Sequence, residues 1–345
     1  MTRKEEIDTL FALVRSSWGL PVNHDFKELS EDEWQSLLRL SCGNNIRAIT
    51  ADGIKKIGLQ PPRNVWLPWL AEASKVELQY RQSRAALAEL TDFFCQNGIR
   101  TIELKGGSLA TLYPVPEHRE ATDLDIYQFG DHRRADALVQ QHYAATVHDD
   151  GYHHTKYNFK GITVENHYSF LNNLNSQRSR DYEALLHQQV PSATFTAMFV
   201  IRHTASHFAS SSLVARHLLD WAAVVQSYRT EVDWQLTSRA IAPSGMTPFV
   251  ATVQALTAQR LGIEPVAQLP ISTNEDLNQR VLNDIVYGEF AERHHEREDI
   301  GRALWKLRRY HAARWKRQLV GHRPQDTLTD VAFHLRHPRT IIHKS

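Results

Sequence analysis

Asp123 and Asp125 stand one residue apart, interleaved with Leu124 and Ile126. Residues i and i+2 of a β-strand point to the same face. This Asp-Leu-Asp-Ile run therefore reads as a strand over 124–127, with both carboxylates on one side and two aliphatic side chains anchored in a core on the other. Such a strand needs partners to pair with and helices to cover its apolar face. Upstream, residues 104–108 read Leu-Lys-Gly-Gly-Ser. A short apolar run over 100–104 enters this glycine turn, and Ser108 opens a helix. Backbone N–H groups at such a turn suit phosphate oxygens, and Lys105 adds a positive charge at the strand end.

Two more strands are expected, over 153–159 and 162–170, with Lys160-Gly161 as the hairpin signal between them. In the second, Ile162, Val164, Asn166, Tyr168 and Phe170 share one, mostly core-like face. Thr163, Glu165, His167 and Ser169 share the other, which offers a third carboxylate to accompany Asp123 and Asp125. Other acid-x-acid pairs, Glu31/Glu33 and Glu296/Glu298, lie in charged helical surroundings and read as solvated faces.

The flanks are helical. Ile7, Leu10, Phe11 and Val14 recur at helical spacing, Ser30 and Glu33 have capping-box spacing, and a long helix is expected over 65–96, ended by Asn97-Gly98. After Ser176, helices are expected over 181–189, 194–210, 214–228, 234–241, 248–261, 274–289 and 300–319. The expectation is an α+β chain: a small mixed sheet over 91–172, a helical region over 1–90 before it and a helical domain over 173–345 after it.

Bulk composition narrows the partners. The formal net charge of the 345-residue chain is +1, so no global field demands nucleic acid or a membrane. Residues 302–323 hold eight Lys/Arg and no Asp/Glu, with Trp305, Tyr310 and Trp315 interleaved. That pattern is open to an RNA-binding patch or to a solvated basic helix face. Two cysteines, Cys42 and Cys95, form no disulfide framework or zinc-type spacing. With no signal-like N-terminus and no membrane-length apolar run, a cytoplasmic protein is expected.

The combined pattern, Lys105-Gly106, Tyr113-Pro114, Arg119 four residues before Asp123, then Glu165-x-His167, resembles the bacterial family of uncharacterised nucleotidyltransferases. That family belongs to the superfamily of DNA polymerase β and kanamycin nucleotidyltransferase. A weaker continuation places His203 or His207 and the segment Leu218-Leu219-Asp220 on the family's helical part. Two features depart from the superfamily: fourteen residues separate Ser108 from Asp123, more than is usual, and the third acid is Glu rather than Asp.

The resemblance implies a polymerase β-like core and transfer of a nucleoside monophosphate from an NTP, such as ATP, to an acceptor hydroxyl. Asp123, Asp125 and Glu165 would hold Mg²⁺, with Mn²⁺ as a substitute, in a two-ion site of about 3.5–4 Å separation. Glu165 would complete that site or act as general base. Gly106, Gly107 and Ser108 would cradle phosphates, and Lys105 or Arg119 would neutralise the leaving pyrophosphate. His167, His203, His207 and Asp220 are candidates for substrate contact or support. His153-His154 and His294-His295 read as surface pairs. A small-molecule or peptide acceptor is favoured over nucleic acid, and oligomeric state is left open. The competing readings are a non-catalytic nucleotide-binding or interaction protein of the same fold, and an RNA-directed transferase using 302–323.

Overall fold

The capping box at Ser30 forms as its spacing predicts: the Glu33 N–H donates to Ser30 Oγ, and the Glu33 carboxylate accepts from the Ser30 N–H. It starts α2 (Glu31–Gly43), which follows α1 (Arg3–Ser17) and precedes α3 (Arg47–Ile57) and the long α4 (Arg63–Gln96). In this computed structural model the described residues are 1–149, 153–171, 176–210, 213–288, 308 and 311–323.

The α+β core begins where α4 ends. In order come β1 (Ile102–Glu103), the single-turn α5 (Gly107–Ala110), a short 3₁₀ turn (Pro116–His118) and β2 (Asp123–Tyr127). Then follow α6 (His132–Tyr143), β3 (His148–Asp149), β4 (His154–Phe159) and β5 (Ile162–His167). The five strands form one mixed sheet in the order β1-β2-β5-β4-β3. Only β2 and β5 pair in parallel.

Alternation sorts the two sheet faces. Leu124, Ile126, Tyr157, Phe159, Ile162 and Val164 pack against Leu87, Leu90 and Phe94 of α4 and Ala135 and Val139 of α6. Burying these side chains is the main force seating the helices on the sheet. The same face holds one polar knot, in which Asn166 Nδ2 and Thr155 Oγ1 donate to the buried Asp136 carboxylate of α6 at 2.9 and 2.8 Å. Asn166 thus sits on the core face with its Nδ2 partnered.

Two details differ from the expected elements. β3 was not foreseen: its two residues are both exposed and polar, so no apolar alternation marks it. β5 stops at His167 because the Tyr168 and Ser169 N–H groups both turn to the His153 carbonyl, at 2.9 and 3.1 Å.

The helices after the sheet are α7 (Gln177–Gln189), α8 (Ala193–Ser210), α9 (Ala215–Ser227), α10 (Trp234–Ser244), α11 (Thr247–Leu261), α12 (Glu275–Tyr287) and α13 (Arg314–Leu319). Most of the helix expected over 300–319, and of the basic segment 302–323, lies outside the described residues, as do His294 and His295. The chain divides into two compact units. One is Met1–Asn172 with Ala222–Ser227 and Arg260–Gly262; the other is Asn173–Trp221, Tyr228–Gln259 and Ile263–Ser345. Among the described residues no helix is long and apolar enough to cross a membrane.

Candidate active site

The sheet face opposite α4 and α6 carries the charged residues. Asp125 of β2 stands beside Glu165 of β5, and Glu165 beside Lys156 of β4. One row over, Tyr127, His167 and His154 are aligned in the same order. Parallel pairing of β2 with β5 thus brings together carboxylates far apart in sequence, and the register sets Asp125 directly against Glu165.

Lys105, at the end of the strand leading into the glycine turn, reaches into this cluster. Its Nζ lies 3.0 Å from Asp125 Oδ2 and 3.8 Å from Asp123 Oδ2. Burial works against the ammonium charge, but Asp125, Asp123 and Glu165 outweigh it and hold the lysine pKa above its ordinary value. Burial would likewise raise Asp125, but Lys105 and His167 hold its carboxyl well below the usual carboxylate range. His167 Nε2 is 2.9 Å from Asp125 Oδ1, and its Nδ1 is 3.3 Å from the Ser169 carbonyl, so both ends of the ring are held. Lys156 Nζ is 2.9 Å from Glu165 Oε1.

The glycine turn has a tenant that the sequence reading missed. Glu103 Oε1 accepts the Gly107 N–H at 2.7 Å, and Oε2 accepts from Arg84 Nη1 at 2.6 Å. A buried carboxylate therefore takes a backbone donor expected to face phosphate. Burial raises the Glu103 pKa, against the pull of Arg84 and the turn N–H groups. The glycines have separate reasons to be there. Gly106 has φ +76°, a left-handed conformation that L side chains rarely adopt. At Gly107, a Cβ would meet Arg84 Nη1 at 1.6 Å, so the guanidinium could not approach. Ser108 is exposed on α5, its Oγ 3.3 Å from the Lys105 carbonyl. Arg119 is buried and donates to the Gly106 carbonyl at 3.0 Å, bracing the turn from behind. The sequence signal for Glu103 was an acid two residues before Lys105, at the last position of an otherwise apolar strand.

The histidines also need correction. His153-His154 is not a surface pair: His154 is buried and His153 half-buried. His154 Nε2 lies 3.6 Å from Glu165 Oε1, and its Nδ1 is 3.0 Å from His153 Nε2. The His153 ring is held neutral, because burial, reinforced by His167 and His154, pushes its pKa down to about 2. The β4–β5 register turned an apparently polar dipeptide inward. His203, His207 and Asp220 belong to the other unit; the two histidines are half-buried on α8, and Asp220 Oδ2 accepts from Arg216 Nη1 at 2.9 Å.

The donor set suits a hard divalent cation. One ligand atom each from Asp125, Glu165 and His167 lies within 4.8 Å of the other two. Asp123 is adjacent on the same strand face. Three carboxylates gather here, and hard cations such as Mg²⁺ and Mn²⁺ are bound through such oxygens with substrate phosphates completing the shell.

The model of a family described as uncharacterised nucleotidyltransferases matches residues 30–262, which span the carboxylate strands, the glycine turn, α8 and α9. No curated protein and no solved structure matches the chain.

Proposed function

The chain belongs to the uncharacterised nucleotidyltransferases, and on that premise we propose a Mg²⁺-dependent enzyme that moves a nucleoside monophosphate from an NTP to a hydroxyl of a small-molecule or peptide acceptor. The observation that carries this reading is the parallel register of Asp125 against Glu165, with Lys105 in salt-bridge contact with Asp125. We assign the catalytic core to residues 91–172. An NTP-consuming enzyme with two free cysteines, Cys42 and Cys95, suits a bacterial cytosol.

Asp123, Asp125 and Glu165 would hold the metal. When bound, Mg²⁺ would supply Lewis-acid polarisation of the α-phosphoryl group and neutralise its charge. The acceptor hydroxyl oxygen attacks the α-phosphorus in line, the bond from that phosphorus to the α–β bridging oxygen breaks, and pyrophosphate leaves. Glu165 accepts the hydroxyl proton. Lys105 carries the charge that answers the negative charge developing on pyrophosphate. Ser108, exposed at the turn, offers a phosphate contact. Arg119 and Glu103 hold the turn carrying Lys105, Gly106, Gly107 and Ser108 in place. His167 orients Asp125.

The test is incubation with each NTP, Mg²⁺ and candidate acceptors, followed by mass spectrometry for nucleotidylated products, the protein itself included. Wild type should form a product that Asp123→Asn does not, with both chains folded by circular dichroism. Equal product from the two would overturn the mechanism.

A further inference from the structure

Three imidazoles meet within the second unit. His203 and His207 stand one turn apart on α8, a spacing that puts both rings on one helix face, and His217 enters from the first turn of α9. Ring centroids are 4.4 Å apart for His203 and His207 and 5.1 Å apart for His207 and His217. One ring nitrogen from each lies within 4.8 Å of the other two. His217 is 6% exposed, and its Nδ1 lies 3.3 Å from both the N–H and the carbonyl of Val214. Metal-ligating histidines donate their second ring N–H to a carbonyl, so the Val214 carbonyl contact is the one that would fix the ring and leave Nε2 for ligation.

We propose that His203, His207 and His217 form a binding site for a borderline-soft divalent transition metal, Zn²⁺ foremost. All three donors are imidazole nitrogens, a class that suits zinc, nickel, copper or iron, whereas Mg²⁺ and Ca²⁺ take oxygen. Three protein nitrogens satisfy a tetrahedral zinc except at one position, which is left to water or to an anionic ligand. With Zn–N bonds of about 2.0–2.1 Å, tetrahedral nitrogens stand roughly 3.3 Å apart. Closing from a separation of up to 4.8 Å to that spacing requires rotation of the two half-buried rings. This site does not depend on the carboxylate reading, since its donors and its preferred ions belong to a different class.

The experiment uses the full chain, stripped of metal with a chelator and titrated with Co²⁺ as a spectroscopic probe for Zn²⁺. Wild type should take up one equivalent with the intense absorption of tetrahedral Co²⁺, displaced by Zn²⁺. Asp125→Asn should retain that equivalent, and His207→Gln and His217→Gln should lose it with unchanged circular dichroism. If either histidine variant fails to fold, anomalous diffraction from Zn²⁺-soaked wild-type crystals decides. The account expects a peak about 2.1 Å from a nitrogen of each of the three rings. The proposal is overturned by absence of the tetrahedral spectrum in wild type, by its survival in folded His207→Gln, or by a zinc peak confined to Asp125, Glu165 and His167.

Discussion

Each unit of the protein contains a buried lysine–aspartate pair, and the two differ in what surrounds them. Lys105 Nζ lies 3.0 Å from Asp125 in the sheet unit, and Lys316 Nζ lies 2.6 Å from Asp284 in the helical unit. Lys316 and Asp284 are 0% and 1% exposed, and the ammonium lies over the rings of Phe208 and Trp315. Lys105 keeps 13% exposure and neighbours Asp123, whose side chain is 27% exposed, while Glu165 adds to its field. A buried ion pair alone therefore identifies no site. What distinguishes the first pair is a surplus of carboxylate beyond its lysine and a route to solvent. On the proposed reading, such a surplus would draw a divalent cation, through which a polyphosphate could bind, whereas a sealed pair only completes a core.

The comparison is open to attack by substitution. Asp125→Asn removes a proposed metal ligand, an interaction that would be worth several kcal/mol in the transition state. Transfer should fall about 10³-fold or more, measured by product formation under saturating Mg²⁺ and NTP. The melting midpoint should also fall, because buried Lys105 then keeps only Asp123, at 3.8 Å, beside it. Lys316→Met strips the cation from buried Asp284 and should cost about 3–5 kcal/mol of stability, read by denaturant unfolding. A stable Lys316→Met protein would dissolve the distinction between the two pairs. Lys105→Met should reduce transfer by about 10²-fold while strengthening nucleotide-free binding of divalent ions, since the competing ammonium is gone. Weaker ion binding in that variant would place the lysine on the metal's side rather than against it.

The smallest expected effect concerns a third charged cluster, where pH replaces mutation. His118 contacts Asp52 through Nδ1 and lies 3.1 Å from Glu77 through Nε2. Burial alone would lower its pKa, but the two carboxylates raise it above the ordinary histidine value of about 6.5. A raised folded-state pKa means the stabilisation is fully present below about pH 6.5 and is lost as pH rises through the folded value. Wild type should therefore lose more stability than His118→Gln between pH 6 and 9. Parallel pH curves for the two chains would show that the cluster contributes nothing.

Local pattern and non-local pairing account for what the sequence did and did not disclose. Period-two alternation was enough to put Asp123 with Asp125 and Glu165 with His167, and the capping box at Ser30 announced its helix. The α+β class followed from short β-compatible runs set between helical ones. The pairing partner of β2 was not legible, because joining β2 to β5 skips the intervening β3 and β4, and nothing in either strand encodes that choice. His154 was misread for the same reason: only its register opposite His167 turns it inward. Glu103 looked like the end of a strand until Gly107 and Arg84 closed on it. His217 acquired its place beside His203 and His207 only when the chain folded its ring against theirs.

The central claim is that the acid face of β2 and β5 holds a divalent ion together with nucleotide. Electron paramagnetic resonance of Mn²⁺, titrated into the full chain with a non-hydrolysable NTP analogue, tests it most directly. Wild type should bind Mn²⁺ in a nucleotide-dependent manner, and Asp125→Asn, still folded, should lose that binding. Undiminished nucleotide-dependent Mn²⁺ binding in Asp125→Asn would contradict the account.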